Sequence, residues 1–495
     1  MRLSLNLYEL TNRGYIHMDL RKEALSQHKR ALLEAWLRGE RPIRLNATIA
    51  QRPPGAPRQL SFAQESLWSL RHEHTRRAIF NQWYFVRLRG MLDFDALQEA
   101  FRIMATRHEV FRTSFVERGD QVVIEVSPSA IPEVAVVQLT HLGREAAMME
   151  ASKRAADESR SPIELAYPPL ARIRIFRLAE DDHLLTLFTH HMVFDAWSMG
   201  VVVRELNTLY SAALQQRAAA LPSLPVSYSD FAHWERSTFK GETLAQMLNT
   251  VLSQLDSAPR AVGLPYDRPP QADGERDAVH HFALSLDTSR RARSFAREHS
   301  VSLFTTLIAA FAASIVGWGG NSDCILRTPL AGRNGETENL IGIFSNHIPL
   351  RIDVSGKPSF LELVARARAE FSRAYSQRAL PYSLLRDEMR RSGAQRFPRL
   401  ETGFVLQNVP IPTLALPGLT VEPLEVHFGR GLADLVMIIV ESPVFVDAGQ
   451  ALAGQMHYRT AVFDASTIER LCLNYEQNLS RMLLEPSSPI TRAFV

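Results

Sequence analysis

The chain has 495 residues, of which 46% are hydrophobic and 22% are charged, and its formal net charge is +3. This composition is typical of a globular protein of two or three domains, and the small net charge excludes the strongly basic surface of a nucleic-acid binder. The two cysteines, Cys324 and Cys472, lack metal-type spacing and indicate a reducing, cytoplasmic setting without a metal site.

Residues 1–45 form a small predicted unit. A helix from Leu5 to Leu10 and a strand-like segment from Tyr15 to Met18 precede a longer helix from about Arg21 to Arg38. The unit contains nine Lys or Arg and five Asp or Glu, so its charge of +4 exceeds that of the whole chain. Two interpretations stay open: a basic surface for an acidic partner segment, or a solvated helix that packs on the body.

The remainder is predicted to form two lobes. Residues 46–59 contain Pro53-Pro54-Gly55 and indicate a linker, residues 60–220 form a first lobe, and residues 221–495 form a second. Both lobes alternate strands and helices, which suggests a pseudo-dimer of mixed α/β units. The most apolar helix, Leu303 to Val316, is shorter than the roughly 20 residues of a membrane span. We interpret it as a buried core helix, and we expect neither a signal peptide nor a membrane partner.

A pair of histidines lies at a predicted strand-to-helix corner. Strands from Ala171 to Phe176 and from Leu184 to Phe188 lead into THHMVFDAWS, residues 189–198, and a helical pattern runs from Met199 to Leu214. A histidine there can act as a general base near neutral pH, and an aspartate four residues beyond the pair can anchor the turn. The alternative is that two polar aromatics merely cap a strand end.

A second pair, His280-His281, serves as an internal comparison. It also lies in a strand-like run, but Ser285 stands where the first pair has its aspartate. We therefore interpret His280-His281 as structural.

Five further segments accompany the histidine segment in a recognisable order. The five segments are SFAQESLWSL (61–70), RHEVFRTSF (107–115), YSDFAHW (228–234), IGIFSN (341–346) and LPY (380–382). Together with the histidine segment, and in chain order, they resemble the motifs of the condensation domains of nonribosomal peptide synthetases, which belong with the chloramphenicol-acetyltransferase-like acyltransferases. The resemblance spans about residues 58–490.

The resemblance implies an α/β (α+β) fold. Two chloramphenicol-acetyltransferase-like lobes would meet in a V-shaped pseudo-dimer, with the histidine motif in a tunnel between them. The chain itself would bind no cofactor, because a partner carrier protein supplies the acyl thioester on its phosphopantetheine arm. Residues 1–45 resemble a β-hairpin docking domain that captures the acidic C-terminal tail of such a carrier.

Roles for single residues also follow from the resemblance. His191 is the expected catalytic residue, which would accept the nucleophile's proton or hold the nucleophile in line. His190 packs and orients the loop, and Asp195 pairs with Arg333, with Arg327 as the alternative partner. Further expected site residues are Trp197 and Ser198, which suit a helix start beside the site, with Ser198 as a candidate cap. Gln407 and Asn408 belong to a segment that resembles a tunnel-lining strand, with an ordinary core strand as the alternative.

Two departures from the family pattern bear on activity. Ala196 stands where the family usually has glycine, and its Cβ is costly if the position needs a positive φ. The same Cβ could narrow the approach of the thioester. The seventh family motif, expected near Arg396-Phe397-Pro398, is barely recognisable.

These features predict a stand-alone, chain-releasing condensation enzyme, since no room for an adenylation or carrier domain follows residue 490. It would act as a monomer and transfer an acyl or polyketide chain from a carrier protein to a small free acceptor, as in hybrid polyketide–nonribosomal pathways. The product is an ester or an amide; we favour the ester because release onto a free small molecule often uses a hydroxyl. The alternatives are a catalytically silent carrier-binding domain and transfer to a tethered aminoacyl acceptor.

Overall fold

A computed structural model describes residues 48–70, 80–256, 258, 263–269, 277–319, 321–393, 400–409, 411–427, 433–441 and 451–490. The predicted docking domain, residues 1–45, and the weak motif Arg396-Phe397-Pro398 lie outside the described residues. Residues 48–59 of the predicted linker are described and contain no helix or strand.

The first part of the chain contains the elements α1 Phe62–Leu70, β1 Asn81–Arg89, α2 Phe94–Arg107, β2 Thr113–Arg118, β3 Gln121–Val126, β4 Val134–Gln138, α3 Arg144–Ser159, β5 Ala171–Ala179, β6 Asp182–His190 and α4 Ala196–Leu214. The second part contains α5 Tyr228–Thr238, α6 Gly241–Leu255, β7 Asp277–Ala283, α7 Leu286–Glu298, α8 Leu303–Gly319, β8 Asp323–Leu330, β9 Asn346–Asp353, α9 Phe360–Ser376, α10 Tyr382–Arg391, β10 Thr402–Gln407, β11 Thr420–His427, β12 Leu435–Val440, β13 Ala453–Arg459 and α11 Ala465–Leu484. Several helices have a polar N-cap residue; at the start of α9, Ser359 and Glu362 form a reciprocal capping box.

The first sheet has the strand order β11-β1-β6-β5-β4, antiparallel except for the β4–β5 pair. Its middle strand, β6, carries the histidine pair at its end, and all nine residues of β6 are buried. Helices α2 and α4 pack on this sheet through side chains such as Leu97, Met104, Val202 and Leu206. Ladders on both sides therefore hold the strand that presents the candidate site.

The second sheet has the order β7-β13-β12-β10-β8-β9. One face packs on a core that includes Phe404, Met437 and the buried helix α8, as the sequence predicted for an apolar helix in this region. Because successive strand residues point to opposite faces, Arg327, His347 and Gln407 lie on the other face.

One strand departs from the predicted division of the chain at residue 220. The segment Thr420–His427 belongs to the second lobe by sequence, yet it pairs antiparallel with β1 at the edge of the first sheet, placing Val421 opposite Leu88. It thereby covers an otherwise open edge and links the lobes. Pairing between such distant segments leaves no mark in local periodicity, so sequence reasoning could not find it.

The His280-His281 pair lies in β7, an edge strand of the second sheet, opposite Met456 and Gln455. His281 is exposed.

In the ranges described above, no helix by itself has the length and apolarity to cross a membrane; α7 and α8 reach that threshold only as a pair bent by 116°. Nor do these ranges bring together three or more His, Cys, Asp or Glu side chains that could hold a metal ion.

Candidate active site

The corner between β6 and α4 is a short helical turn. β6 ends at His190, residues His191–Val193 form a 3₁₀ turn, and α4 begins at Ala196. The helix cap is Asp195, whose carboxylate accepts a hydrogen bond from the Ser198 amide at 2.9 Å. The expectation that Ser198 caps the helix is therefore wrong: Asp195 has the extended backbone of a cap residue, whereas Ser198 already lies in the first turn.

Asp195 is fixed by a buried ion pair. Nη2 of Arg333 lies 2.7 Å from Oδ1 of Asp195, and the two side chains are 2% and 4% exposed. The Phe344 amide donates to the other carboxylate oxygen at 3.0 Å. Arg333 also donates to the carbonyls of Thr337 and Leu340, so one guanidinium ties the turn of the first lobe to a loop of the second. Arg327, the alternative partner, lies instead over the Tyr382 ring at 5.6 Å.

Ser198 and Gly342 form the next contact between the same two segments. The Ser198 hydroxyl accepts from the Gly342 amide at 3.0 Å and lies 2.8 Å from Oδ1 of Asp195. A Cβ on Gly342 would stand 2.2 Å from the Tyr228 ring, which explains a glycine at this position. Tyr228 in turn donates to the Ile343 carbonyl at 2.7 Å. These polar side chains hold the loop rather than face a substrate.

His190 faces the protein interior. It is 4% exposed, its Nδ1 accepts from the Met192 amide at 3.0 Å, and its ring lies 5.9 Å from that of Phe80. Burial lowers the pKa of His190 to about 3, with a smaller contribution from the neighbouring His191. The ring is therefore neutral and supports the turn.

His191 is half-buried, and its hydrogen bonds define its tautomer. Nδ1 lies 2.7 Å from the Phe194 carbonyl oxygen. A carbonyl can only accept, so Nδ1 carries the proton and Nε2 keeps a free lone pair. Burial lowers the pKa of His191, while the Phe194 carbonyl and Asp195 oppose this shift. The ring is thus a neutral base at pH 7.

Gln82 on β1 also reaches this ring. Its carboxamide nitrogen lies 2.7 Å from Nδ1 of His191, and the residue is only 1% exposed. Gln82 was not predicted as a site residue, because its only local signal is a carboxamide at the start of an apolar strand.

One residue of the second sheet, His347, lies near the same site and was not assigned to it from sequence. Burial holds the pKa of His347 well below its usual range; the positive charge of Arg327 and the proximity of His191 lower it further. The His347 ring lies 5.7 Å from that of Tyr382, over which Arg327 also lies. A second neutral imidazole therefore stands within electrostatic range of His191, on β9.

The other predicted site residues occupy distinct places. Trp197 lies in the first turn of α4 and donates from Nε1 to the Glu338 carbonyl at 2.8 Å, which makes another contact between the lobes. Gln407 ends β10 on the sheet face that it shares with His347, and Asn408 follows the strand. Among the described contacts, neither carboxamide touches His191.

Ala196 adopts an ordinary helical backbone as the first residue of α4. In the described part of the chain, non-glycine residues with positive φ are Gln216, Ser300 and Lys357. The anticipated backbone penalty at Ala196 is therefore absent, and only its Cβ volume distinguishes it from glycine.

Comparison with known proteins places this arrangement in a family. A family model described as "Condensation domain" matches residues 58–494. One of the linear gramicidin synthase proteins of Brevibacillus parabrevis is 32% identical over 462 residues, which are 93% of this chain and 6% of the relative. Phosphinothricin tripeptide synthetase PhsC of Streptomyces viridochromogenes is 31% identical over 92% of this chain and 42% of its own length. The chain thus spans less than half of these relatives.

Two solved structures have folds similar to that of this chain. SgcC5 from Streptomyces globisporus aligns with a TM-score of 0.73 and 26% identity over 88% of this chain and 100% of its own. The X-domain from teicoplanin biosynthesis aligns with a TM-score of 0.78 over 90% and 99% of the two chains, and its 24% identity supports the fold alone. With its two-lobed α/β architecture, its histidine turn and a family match over residues 58–494, the chain belongs to the condensation domains of nonribosomal peptide synthetases.

Proposed function

We propose that this chain, as a member of a family of acyltransferases that work with carrier proteins and form amide bonds, is a free-standing, chain-releasing enzyme. It transfers an acyl or polyketide chain from the phosphopantetheine thioester of a carrier protein to a small free acceptor, forming an ester. The observation that carries the proposal is the half-buried His191 with Nδ1 bonded to Phe194 and Nε2 left as a base.

The proton balance of the transfer follows from this tautomer. Nε2 of His191 removes the acceptor's proton as its oxygen attacks the thioester carbonyl, and the ring becomes an imidazolium. When the tetrahedral intermediate collapses, the carbon–sulfur bond breaks and the imidazolium returns the proton to the departing thiolate. His191 ends neutral, and no other reactant is needed.

A hydroxyl acceptor is favoured by two arguments. SgcC5 was solved in complex with (R)-(-)-1-(2-naphthyl)-1,2-ethanediol, a small diol. A hydroxyl also needs a general base during attack far more than a free amine does, and the unprotonated Nε2 of His191 supports such a role.

We further propose that residues 1–45 dock the acidic tail of the carrier protein. Their charge of +4 against +3 for the whole chain provides the electrostatic complement.

A catalytically silent carrier-binding role is the second candidate. The X-domain of teicoplanin biosynthesis was solved as a complex with OxyB, so a related fold binds another protein. The intact arrangement of His191, Asp195 and Arg333 argues for catalysis instead, because a purely binding domain has no need to hold a base in this tautomer.

Intact-mass spectrometry of an acyl-loaded carrier protein tests the proposal. The enzyme, the loaded carrier and either the naphthyl diol or its amino-alcohol analogue are mixed, and loss of acyl mass from the carrier is followed together with ester or amide formation. We expect ester formation from the diol. Carrier binding without transfer to any acceptor would support the silent role, and transfer only to an aminoacyl carrier would support a tethered acceptor.

Charge reversal in residues 1–45 tests the docking proposal. Reversing Lys22, Lys29 and Arg30 to glutamate in the full chain should weaken transfer from the carrier protein but leave transfer from a small pantetheine thioester intact. Equal loss with both donors would assign residues 1–45 a folding role.

The pH dependence of transfer should have its acid limb below pH 6.5. His191 acts in its neutral form, and burial lowers its pKa from the usual 6.5, so the base is lost only as pH falls through that lower value. Rates from pH 5 to 8 check this, and a midpoint at or above 6.5 would contradict it. Glu235 also titrates within this pH range, because burial raises its pKa to about 7. The Glu235→Gln variant is therefore the control, and its transfer rate should fall with pH as that of the wild type does.

Exchanging Ala196 for glycine should leave transfer unchanged. The residue begins α4 with ordinary helical φ, so glycine relieves no strain and costs less than about 1 kcal/mol of stability. Transfer rates and thermal melting of Ala196→Gly check both points. A many-fold gain in rate would show that the Ala196 Cβ obstructs the thioester.

A further inference from the structure

Gln82 is the one described side chain that hydrogen-bonds to the His191 ring. It extends from β1, whose register places Gln82 opposite Thr189, two residues before His191. With the residue 1% exposed and ladders on both sides of β6, the carboxamide has little freedom to leave the ring.

Two groups therefore meet Nδ1, each at 2.7 Å: the carbonyl oxygen of Phe194 and the carboxamide of Gln82. The Phe194 carbonyl requires a proton on Nδ1, and a nitrogen that donates has no lone pair left to accept from an N–H. A half-turn of the carboxamide exchanges its nitrogen for its oxygen at nearly the same place. Only the orientation with the oxygen toward Nδ1 satisfies both contacts.

The geometry points to Gln82 as a positioning residue for acyl transfer. Its carboxamide oxygen and the Phe194 carbonyl share the Nδ1 proton, keep Nε2 of His191 free to accept a proton, and stabilise the imidazolium that forms during attack. This inference rests on the proposed acyl transfer, but the tautomer that it assigns can be measured without any reaction.

The charge change during the reaction explains why such a contact matters. When Nε2 takes the acceptor's proton, Nδ1–H becomes a charged donor, and hydrogen bonds to charged groups are roughly twice as strong as neutral ones. The two oxygens thus stabilise the transition state more than the resting ring. Since both are uncharged, they favour the imidazolium without holding the ring protonated at rest.

Two substitutions separate the acceptor role from a packing role. Gln82→Met keeps the length of the side chain but removes the carboxamide oxygen, and we expect kcat to fall about 10- to 100-fold with little change in KM. Gln82→Glu keeps an acceptor and adds charge, so activity should persist while the acid limb of the pH profile moves upward. If Gln82 instead donates to Nδ1, the glutamate variant should be the more damaged of the two.

Among the described residues, the other titratable groups near His191 are His190 and Asp195 beside it in the chain and His347 from β9. These variants retain all three. Thr186→Val is the matched control, since it changes a fully buried residue of β6 whose hydroxyl has no partner among the described atoms. It should leave both kcat and the pH profile unchanged.

Nitrogen NMR of histidine-labelled full-length protein measures the tautomer directly, with His191→Ala identifying the signal. We expect the Nδ1–H tautomer in the wild type and a larger share of the other tautomer in Gln82→Met. An Nε2–H ring in the wild type, or unchanged kcat and tautomer in a folded Gln82→Met, would overturn the inference. Absence of transfer by the wild type would overturn the proposed function and leave this measurement readable.

Discussion

The His191→Ala variant is expected to lose ester formation by a factor of about 10²–10⁴ while keeping its fold, because general-base catalysis contributes about that much. The substitution removes the imidazole whose Nε2 is both unprotonated and presented at the corner between β6 and α4. Within the described residues, His190 cannot replace it, since His190 is 4% exposed and its Nδ1 is occupied by the Met192 amide.

The loss should depend on the acceptor. A hydroxyl must shed its proton during attack, whereas a free amine attacks through its lone pair and loses its proton later. Amide formation with the amino-alcohol analogue should therefore survive in part. His281→Ala, which changes an exposed histidine of β7, is the matched control and should have full activity. Equal residual rates for alcohol and amine would show that His191 only orients the acceptor.

The second large effect concerns stability. Arg333→Ala should lower the free energy of unfolding by about 3–5 kcal/mol, because it leaves Asp195 as an uncompensated buried charge. Asp195→Ala should cost a similar amount and should also remove the cap of α4. In the double variant the two costs should fall well short of additive, since the residues contact each other directly.

Chemical denaturation of the two single variants and the double variant measures this coupling. The control is Arg291→Ala, which breaks the exposed pair of Arg291 with Asp287 on α7 and should cost no more than about 0.5 kcal/mol. Additive losses in the double variant would mean that the ion pair contributes nothing beyond its separate hydrogen bonds. Loss of transfer without loss of stability would give Asp195 a chemical role in place of a structural one.

Much of the fold could be predicted from local patterns. Alternating apolar residues predicted strands that correspond to β5 and β6, and helical spacing predicted α4 and the buried helix α8. These signals are local, because strand and helix periodicities are visible within a dozen residues. The family motifs added the two-lobed architecture through resemblance.

Local patterns were less reliable at the boundaries of the site. Ser198 resembled a cap because serine is favoured there, but Asp195 caps α4 since its backbone is extended and its carboxylate faces the Ser198 amide. The concern about Ala196 likewise depended on φ, a quantity that composition cannot supply. The helix simply begins one turn earlier than its apolar pattern does.

Local patterns in the chain were enough to identify the groups that could do chemistry at the corner: two histidines, an aspartate and the helix that follows them. What these groups can do depends on contacts that form only on folding. The Nδ1 proton of His191 depends on Phe194 and on Gln82, which lies 109 positions away, and Asp195 meets Arg333 at a separation of 138. Such contacts form when strands pair and lobes pack, and they leave no periodic trace in the chain. Burial and hydrogen bonding, which are properties of the fold, make His191 a base and His190 the residue that supports its turn.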